Sequence, residues 1–384
     1  MRQGYWLVPV LMWASVAVGG EVSIVQRDAS LRITIGGDIF TVFRYGDDLP
    51  KPYFLPVTAE NGWDLLSKAE FGDETVAGRA AFVCEESLTV KQNGETQQLP
   101  FGTLVQVSKV DDNRVEILES DSAVPRSALA PLAGTVTRLV NLNPPQIKDR
   151  NSPQKKNDHP HHKGIWLSVD EVNGIKFWNE DGRIKTHSVK VLSTGKKQAS
   201  FELVAHWMGV DDKPLLRQTT IYTIYDDFFL GCDTTFSAID QPVSFGDTKE
   251  GMFAIRLPNS MREMISQGPV RNAEGKSGSE PCWGLESPWV DYCGKVDDNT
   301  LGVTLMDHPA NPRRSRYHVR NYGLFAINPF GTKSYSRGEL PEQPLTLEPN
   351  GEGARFRYGL YVHAENIPDE AISKRYATFV NDLN

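Results

Sequence analysis

The sequence of 384 residues is poor in several things that would point to particular functions. It has four cysteines, Cys84, Cys232, Cys282 and Cys293, and no CxxC spacing, which argues against a zinc ribbon or a thioredoxin-like redox site. After the first twenty residues there is no apolar run of about 18, so the rest of the chain is not that of a polytopic membrane protein. There is no long basic run, and 41 Lys+Arg against 49 Asp+Glu give a formal charge of −8, which argues against nucleic acid as a partner. Glycine-rich phosphate loops and alternating βα units are also missing, which counts against P-loop and doubly wound nucleotide enzymes. What remains, 39% hydrophobic and 23% charged with 32 Gly and 24 Pro, is the composition of an ordinary globular protein.

The first segment reads as a targeting signal. Arg2 supplies a positive charge, Tyr5 to Val18 is almost wholly apolar, and Val18-Gly19-Gly20 precedes Glu21. This is the layout of a secretory signal peptide over 1–20 with cleavage near Gly20–Glu21. The expected location is therefore periplasmic or secreted, with no membrane span after cleavage. In such a compartment Cys282 and Cys293 could close a disulfide or remain two buried thiols, and the sequence leaves both open.

The body of the chain reads as β-structure. Leu31, Ile33 and Ile35 alternate with polar residues and run through Gly36-Gly37-Asp38 into Ile39–Phe43, which is a hairpin pattern. Asn93-Gly94 and Asp111-Asp112-Asn113 mark two further hairpins. His187–Leu192, Ala199–Trp207, Leu215–Tyr225 and Phe228–Phe236 are four strand candidates in succession, and Gly302–Met306, Gly323–Ile327 and Ala354–Val362 follow. Pro368-Asp369 opens one helix, with Ile372, Tyr376 and Phe379 at helical spacing. The fold class is all-β, a large antiparallel β-sandwich with a short C-terminal helix.

Residues 70–133 differ in texture. Leu99-Pro100-Phe101-Gly102-Thr103-Leu104-Val105-Gln106-Val107, a hairpin, and then Ala123-Val124-Pro125-Arg126-Ser127-Ala128-Leu129 resemble the strand order of a bacterial SH3-like barrel, with Ala123 where that family usually has Trp. The resemblance implies a small inserted binding module between a first sandwich segment, 21–69, and the main one, 134–384, and it implies a ligand for the insert.

Chemistry-bearing residues flank the insert. Pro52–Val57 precedes it and Gly134–Arg138 follows. Next come Asp158-His159-Pro160-His161-His162-Lys163-Gly164-Ile165-Trp166 and Val172–Trp178, then Asp247-Thr248-Lys249-Glu250-Gly251 with Arg256, and Trp289–Gly294. Asp307-His308-Pro309-Ala310-Asn311-Pro312-Arg313, Tyr317–Gly323 and Asn328–Gly331 complete the set. Together these strings resemble a family of bacterial proteins of unknown function commonly labelled methane oxygenase PmoA. The resemblance implies a sandwich of the galactose-mutarotase type. It does not imply methane oxidation, because a membrane-embedded oxygenase subunit needs spanning helices.

Five of the eight histidines fall in these strings. Histidine titrates near neutrality and suits acid–base work or metal binding. The reading assigns His162, His308, His318, Asp247, Glu250 and Arg256 to one catalytic pocket. Trp289, Asp291, Tyr292, Arg313, Arg320, Asn321 and Asn328 are assigned to substrate binding, since flat rings beside polar groups suit a sugar. Trp166 and Trp178 read better as sandwich core. His159 and His161, two apart, permit a divalent metal site completed by His308 or a carboxylate. The expected function is that of a carbohydrate-active enzyme (epimerase, lyase or hydrolase). The alternative is a non-catalytic carbohydrate- or envelope-binding protein, and in both cases the partner is a carbohydrate or other small molecule.

Overall fold

The computed structural model describes residues 20–27, 29–59, 64–66, 80–83, 87–100, 103–110, 114–118, 120–125, 128–131, 159, 161–266, 268–296 and 299–383. Residues 1–19, within the segment read as a signal peptide, the turn at Asp111–Asn113, Cys84, Gly134–Arg138, Asp158 and Pro160 lie outside the described residues.

Two large antiparallel sheets face each other. The first has nine strands. Its order is Val22–Arg27, Ser30–Ile35, Asp38–Arg44, Tyr53–Thr58, Ile165–Val169, Gly251–Arg256, Leu324–Asn328 and Arg316–Val319, with Asp64–Leu66 paired to Tyr53–Thr58. The second has eight: Ile184–Ser193, Gln198–Met208, Pro214–Tyr225, Phe229–Ala238, Ala354–Ala364, Asn299–Asp307, Trp289–Val296 and Val270–Asn272. The alternation seen in the sequence sets the facing sides. Leu31, Ile33, Ile35, Ile165, Leu167, Phe253, Ile255, Phe325 and Ile327 meet Phe201, Leu203, Tyr222, Leu305, Phe356 and Tyr358 in one continuous apolar cluster. Ring contacts cross between the sheets, as in Phe43 to Phe201 at 5.0 Å and Phe54 to Tyr222 at 5.0 Å. The sandwich expected from strand spacing is thus observed, as is the hairpin pairing Ile35 with Asp38.

The expected helix spans Asp369–Asp382. It lays Ile372 and Phe379 on Phe229, Trp289 and Met306, on the outer side of the eight-stranded sheet. Residues beneath the helix on that side therefore lie in a second packed layer and not on a surface.

Within 70–133, a five-stranded sheet runs Ala123–Pro125, Arg114–Ile117, Leu104–Val110, Ala80–Val83, Leu129–Pro131, beside the hairpin of Ser87–Gln92 and Glu95–Pro100. Val83, Leu88, Val90, Val105, Val107, Val115, Ile117, Val124, Ala128 and Leu129 form an apolar cluster of their own. Cys232, Cys282 and Cys293 are buried free thiols, which settles the disulfide alternative in favour of thiols.

Candidate functional site

The outer face of the nine-stranded sheet carries the polar half of the same alternation. On Ile165–Val169 the odd residues enter the core, so Trp166, Ser168 and then Asp170 point the other way. Register places Trp166 beside Ala254, Ala254 beside Ala326, and Ala326 beside His318. Two alanines, both wholly buried, therefore form a row of small residues, here termed the trough, between a Trp166 wall and a His318 wall, three strand spacings or about 14 Å apart from backbone to backbone.

Gly164 feeds the histidine loop into the first wall. Its φ is +58°, and a Cβ there would meet the Phe54 carbonyl oxygen at 1.9 Å, so only glycine fits. Lys51, 1% exposed, ties the loop down from beneath. Its ammonium donates to His161 O at 2.9 Å and Trp178 O at 3.3 Å and pairs with Glu180 at 2.9 Å, which uses all three of its protons. Burial lowers its pKa to about 8 against the opposing pull of Glu180. Lys163 reaches the same carboxylate at 2.6 Å. The loop then stacks Tyr322, His159, His162 and Trp166 in a four-ring pile, with centroids 5.5, 4.6 and 5.3 Å apart and planes within 20°. Arg256 lies over the Tyr322 ring at 5.2 Å and meets His162 Nδ1 at 3.0 Å, and Arg320 also lies over Tyr322.

On the opposite wall His318 is hydrogen-bonded to the backbone of Lys249, whose carbonyl also accepts from the Tyr335 hydroxyl at 2.6 Å. Trp283 and Tyr335 pack beside the imidazole. Burial pushes His318 down to about 3, and burial aided by Lys51 pushes His161 to about 4. Burial, then Arg256, drives His162 well below the ordinary imidazole value. These three imidazoles are neutral at neutral pH. At the far end of the trough Asp170 N donates to Glu250 O at 3.0 Å. Burial raises the pKa of both carboxyls, and the charge of Asp170 raises Glu250 further against Lys249.

The trough holds a concentration of buried polar atoms with no hydrogen-bond partner among the described residues: Trp166 Nε1, Ser168 Oγ, Asp170 Oδ1, His318 Nδ1 and Trp283 Nε1. Trp166, Ser168, Asp170 and His318 are 1%, 0%, 7% and 2% exposed. An unmet buried polar group costs about 1–3 kcal/mol, so five around one trough mark a place where a polar ligand or water belongs.

Residues 128–377, well over half of the chain, match the model described as Family of unknown function (DUF6807). The chain belongs to this family. The DUF6807 match covers both walls of the trough but not Lys51, and it begins at residue 128, just before Leu129–Pro131, the last strand of the separate sheet in chain order. No curated protein matches the chain. Among solved structures, the chain is similar to the galactose 1-epimerase of Lactobacillus acidophilus NCFM, at 10% identity, 90% of this chain, 98% of that one and a TM-score of 0.30. It is similar to the GalM/aldose epimerase homologue of C. elegans at 10% identity, 90% and 99% coverage and a TM-score of 0.27. It is also similar to a glycosyl hydrolase family 38 protein of Enterococcus faecalis at 14% identity, covering 94% of this chain but only 39% of that one, with a TM-score of 0.28. The mutarotase kind of sandwich expected from the sequence is thus among the folds it resembles, but at such TM-scores the likeness carries no argument about chemistry.

Of the residues expected in one pocket, the structure brings His162, His318, Glu250 and Arg256 to this face, with Arg320 at its Tyr322 end. Others lie elsewhere, and each has a physical reason. His308 is wholly buried under the C-terminal helix. Its Nδ1 accepts from Ala310 N, its Nε2 faces Val380 O at 3.1 Å, and its ring meets Phe379, so it braces the helix. It therefore cannot complete a metal site with His159 and His161. Trp289 packs under the same helix. Asp291 is buried against His363, Thr304, Arg271 and Cys293. The Tyr292 hydroxyl accepts from Glu263 N inside the core. Asp247 caps the helical turn Thr332–Tyr335 through the amides of Lys333 and Ser334, both at 2.9 Å. Arg313 binds the Gln343 carbonyl and covers Phe330. Asn328 bridges Thr248 O and Phe330 N. Asn321 keeps a buried Oδ1 with no partner among the described residues, beside the end strand that carries His318. Sequence reasoning missed Ser168, Asp170, Lys51 and Trp283; it read Trp166 as core, and that residue is buried, at 1% exposure, outside the inter-sheet cluster. The alternation Trp166-Leu167-Ser168-Val169-Asp170 is the signal that could have found the first wall.

Proposed function

We propose that this protein is an exported, carbohydrate-active enzyme whose sugar lies in the Ala254–Ala326 trough. One observation carries the reading: two successive outward residues of the strand Ile165–Val169, Trp166 and Ser168, and Asp170 just beyond its end offer a buried indole donor, a hydroxyl and a carboxylate oxygen, with no partner among the described residues. That sequence of donor, donor–acceptor and acceptor complements neighbouring hydroxyls of a sugar ring, and the Trp283 and His318 side chains offer the same from the facing wall. Asp170 and Glu250, both pushed toward the protonated form by burial, exchange the proton with the sugar. His318 Nδ1 accepts from a hydroxyl. His162 and Arg256 are positioning residues. The reaction class is proton transfer at a sugar carbon or glycosidic oxygen, as in an epimerase, lyase or hydrolase. Export through the 1–20 segment and an SH3-like identity for the insert belong to the same proposal. The first described strand begins at Val22, so cleavage near Gly20–Glu21 removes nothing from the sheet.

The test is a sugar panel read by thermal shift and by turnover. Asp170→Asn and Glu250→Gln are each expected to abolish turnover of the sugar found while binding persists. Turnover retained in both variants overturns the acid–base assignment. Sugar binding with no turnover in the unmodified protein leaves the binding-protein alternative in its place.

A further inference from the structure

On the other large sheet, Asp291, Cys293 and His363 place a carboxylate oxygen, a thiol sulfur and an imidazole nitrogen within 4.8 Å of one another. All three residues are buried, at 0%, 0% and 4% exposure. Cys293 pairs with Gly302, which pairs with His363, so the group spans three strands. The central residue must be glycine, because a Cβ on Gly302 would lie 2.0 Å from the His363 ring.

The protons at this site do not balance for a neutral imidazole. His363 Nδ1 faces two carbonyl oxygens, Glu365 O at 3.1 Å and Ala364 O at 3.4 Å, and a carbonyl can only accept, so Nδ1 carries the hydrogen. Nε2 of the neutral ring is then a lone pair, yet it faces Asp291 Oδ1 at 3.0 Å. Two acceptors meet there unless a proton, held by the ring as an imidazolium or by the Asp291 carboxyl, or a cation lies between them. A histidine whose Nδ1–H is fixed by a backbone carbonyl and whose Nε2 turns to a carboxylate and a thiol has the arrangement of a metal ligand. Asp291 is itself held by Thr304 Oγ1 at 3.0 Å and Arg271 at 3.1 Å, as ligating carboxylates usually are. Asn366 Oδ1, which already accepts from Arg271, lies 3.8 Å from the sulfur.

We propose that Asp291, Cys293 and His363 bind a zinc-type divalent cation. His363 Nε2 lies 3.0 Å from Asp291 Oδ1 and Cys293 Sγ 3.2 Å from Asp291 Oδ2, near the about 3.3–3.8 Å between ligands of a tetrahedral zinc, and the three donors together lie within 4.8 Å of one another. The ion takes the place of the thiol proton and of any proton between Nε2 and Oδ1, and thiolate and carboxylate balance its two charges. It would pin the sheet to the segment leading into Asp369–Asp382, where Arg271 already joins Asp291 to Asp369.

The site is buried, so the metal must enter during folding. The whole mature chain is refolded with excess cobalt(II), dialysed, and examined by absorption and metal analysis. The expected result is about one cobalt per chain with a thiolate-to-metal charge-transfer band. Cys293→Ser loses that band and binds at least about tenfold less metal, whereas Cys282→Ser, at another buried thiol, keeps both. Natively folded unmodified protein with no band and less than a tenth of an equivalent of metal overturns the proposal in favour of a proton between His363 and Asp291. That outcome does not depend on any variant folding, and it leaves the sugar-site reading untouched.

Discussion

Arg256 donates a hydrogen bond to Nδ1 of His162 at 3.0 Å. A guanidinium cannot accept, so Nδ1 must present its lone pair, and the ring must be the neutral Nε2–H tautomer. A neutral imidazole has one lone pair, and Arg256 occupies it. With His159 on one face and Trp166 on the other, His162 is a fixed donor and not a base. Nitrogen-15 spectra of the histidine rings check this. We expect the His162 Nδ1 resonance in the unprotonated range and Nε2 in the protonated range from pH 7 down to pH 5. A ring that titrates with an ordinary midpoint in that interval would refute the assignment.

Ser168 separates a binding role from a structural one. Its hydroxyl is fully buried with no partner among the described residues, so it stabilises nothing within the protein. Ser168→Ala is expected to leave the chemical-denaturation midpoint unchanged or to raise stability by up to about 1 kcal/mol, while abolishing the thermal shift given by the bound sugar. Trp166→Phe removes the indole N–H and shrinks the ring of a buried side chain, so it is expected to abolish the same thermal shift at some cost in stability from the cavity left behind. A loss of more than about 1 kcal/mol in Ser168→Ala would show that the hydroxyl is already satisfied in the folded chain.

The contrast between Ser168 and Asp291 shows what the sequence could and could not convey. Strands and the final helix were legible because each is local: a period of two around Ile33, a turn at Gly36-Gly37, and helical spacing from Ile372 to Phe379. His162, Arg256 and His318 were legible as a group because their strings lead into strands that lie close together in the same sheet. Asp291, Tyr292 and Trp289 stand next to one another in the sequence like a sugar-binding wall, yet both faces of their strand are covered, one by the opposite sheet and one by the C-terminal helix. A polar residue beside an aromatic looks the same in a buried network as in a cleft. The trough itself depends on Ala254 and Ala326 falling in register between Trp166 and His318. That juxtaposition joins strands far apart in sequence, and no local pattern encodes it.

Residues 70–133 should be removable. The apolar cluster of their sheet and hairpin runs from Val83 to Leu129 and shares no residue with the sandwich cluster, which takes Ala59 before the segment and Ile165 after it. Replacing about 70–133 with a short Gly/Ser linker is expected to leave one cooperative β-sheet melting transition within a few degrees of the parent and an intact sugar response. Loss of cooperative melting would mean that the two parts fold only together.

Acid should weaken the fold through His318. In the unfolded chain its imidazole takes up a proton near pH 6.5; in the folded chain burial holds it neutral down to about 3. Between those values the unfolded state binds the extra proton, so the contribution is fully present above pH 6.5 and is lost as pH falls toward 3. While one proton separates the two states, the slope is about 1.4 kcal/mol per pH unit. Asp170 and Glu250 act in the opposite sense, because their folded pKa values are raised: the stability they lend is present at low pH and is lost as pH rises. A single melting curve therefore mixes the two effects, and a difference isolates one. Stability is measured from pH 7 to pH 4.5 for the parent and for His318→Gln, which cannot take up the proton in either state. The expected result is a shallower fall in the variant, by about one proton's worth of slope, whatever its absolute stability. Equal slopes would place His318 in contact with solvent and remove it from the wall of the trough.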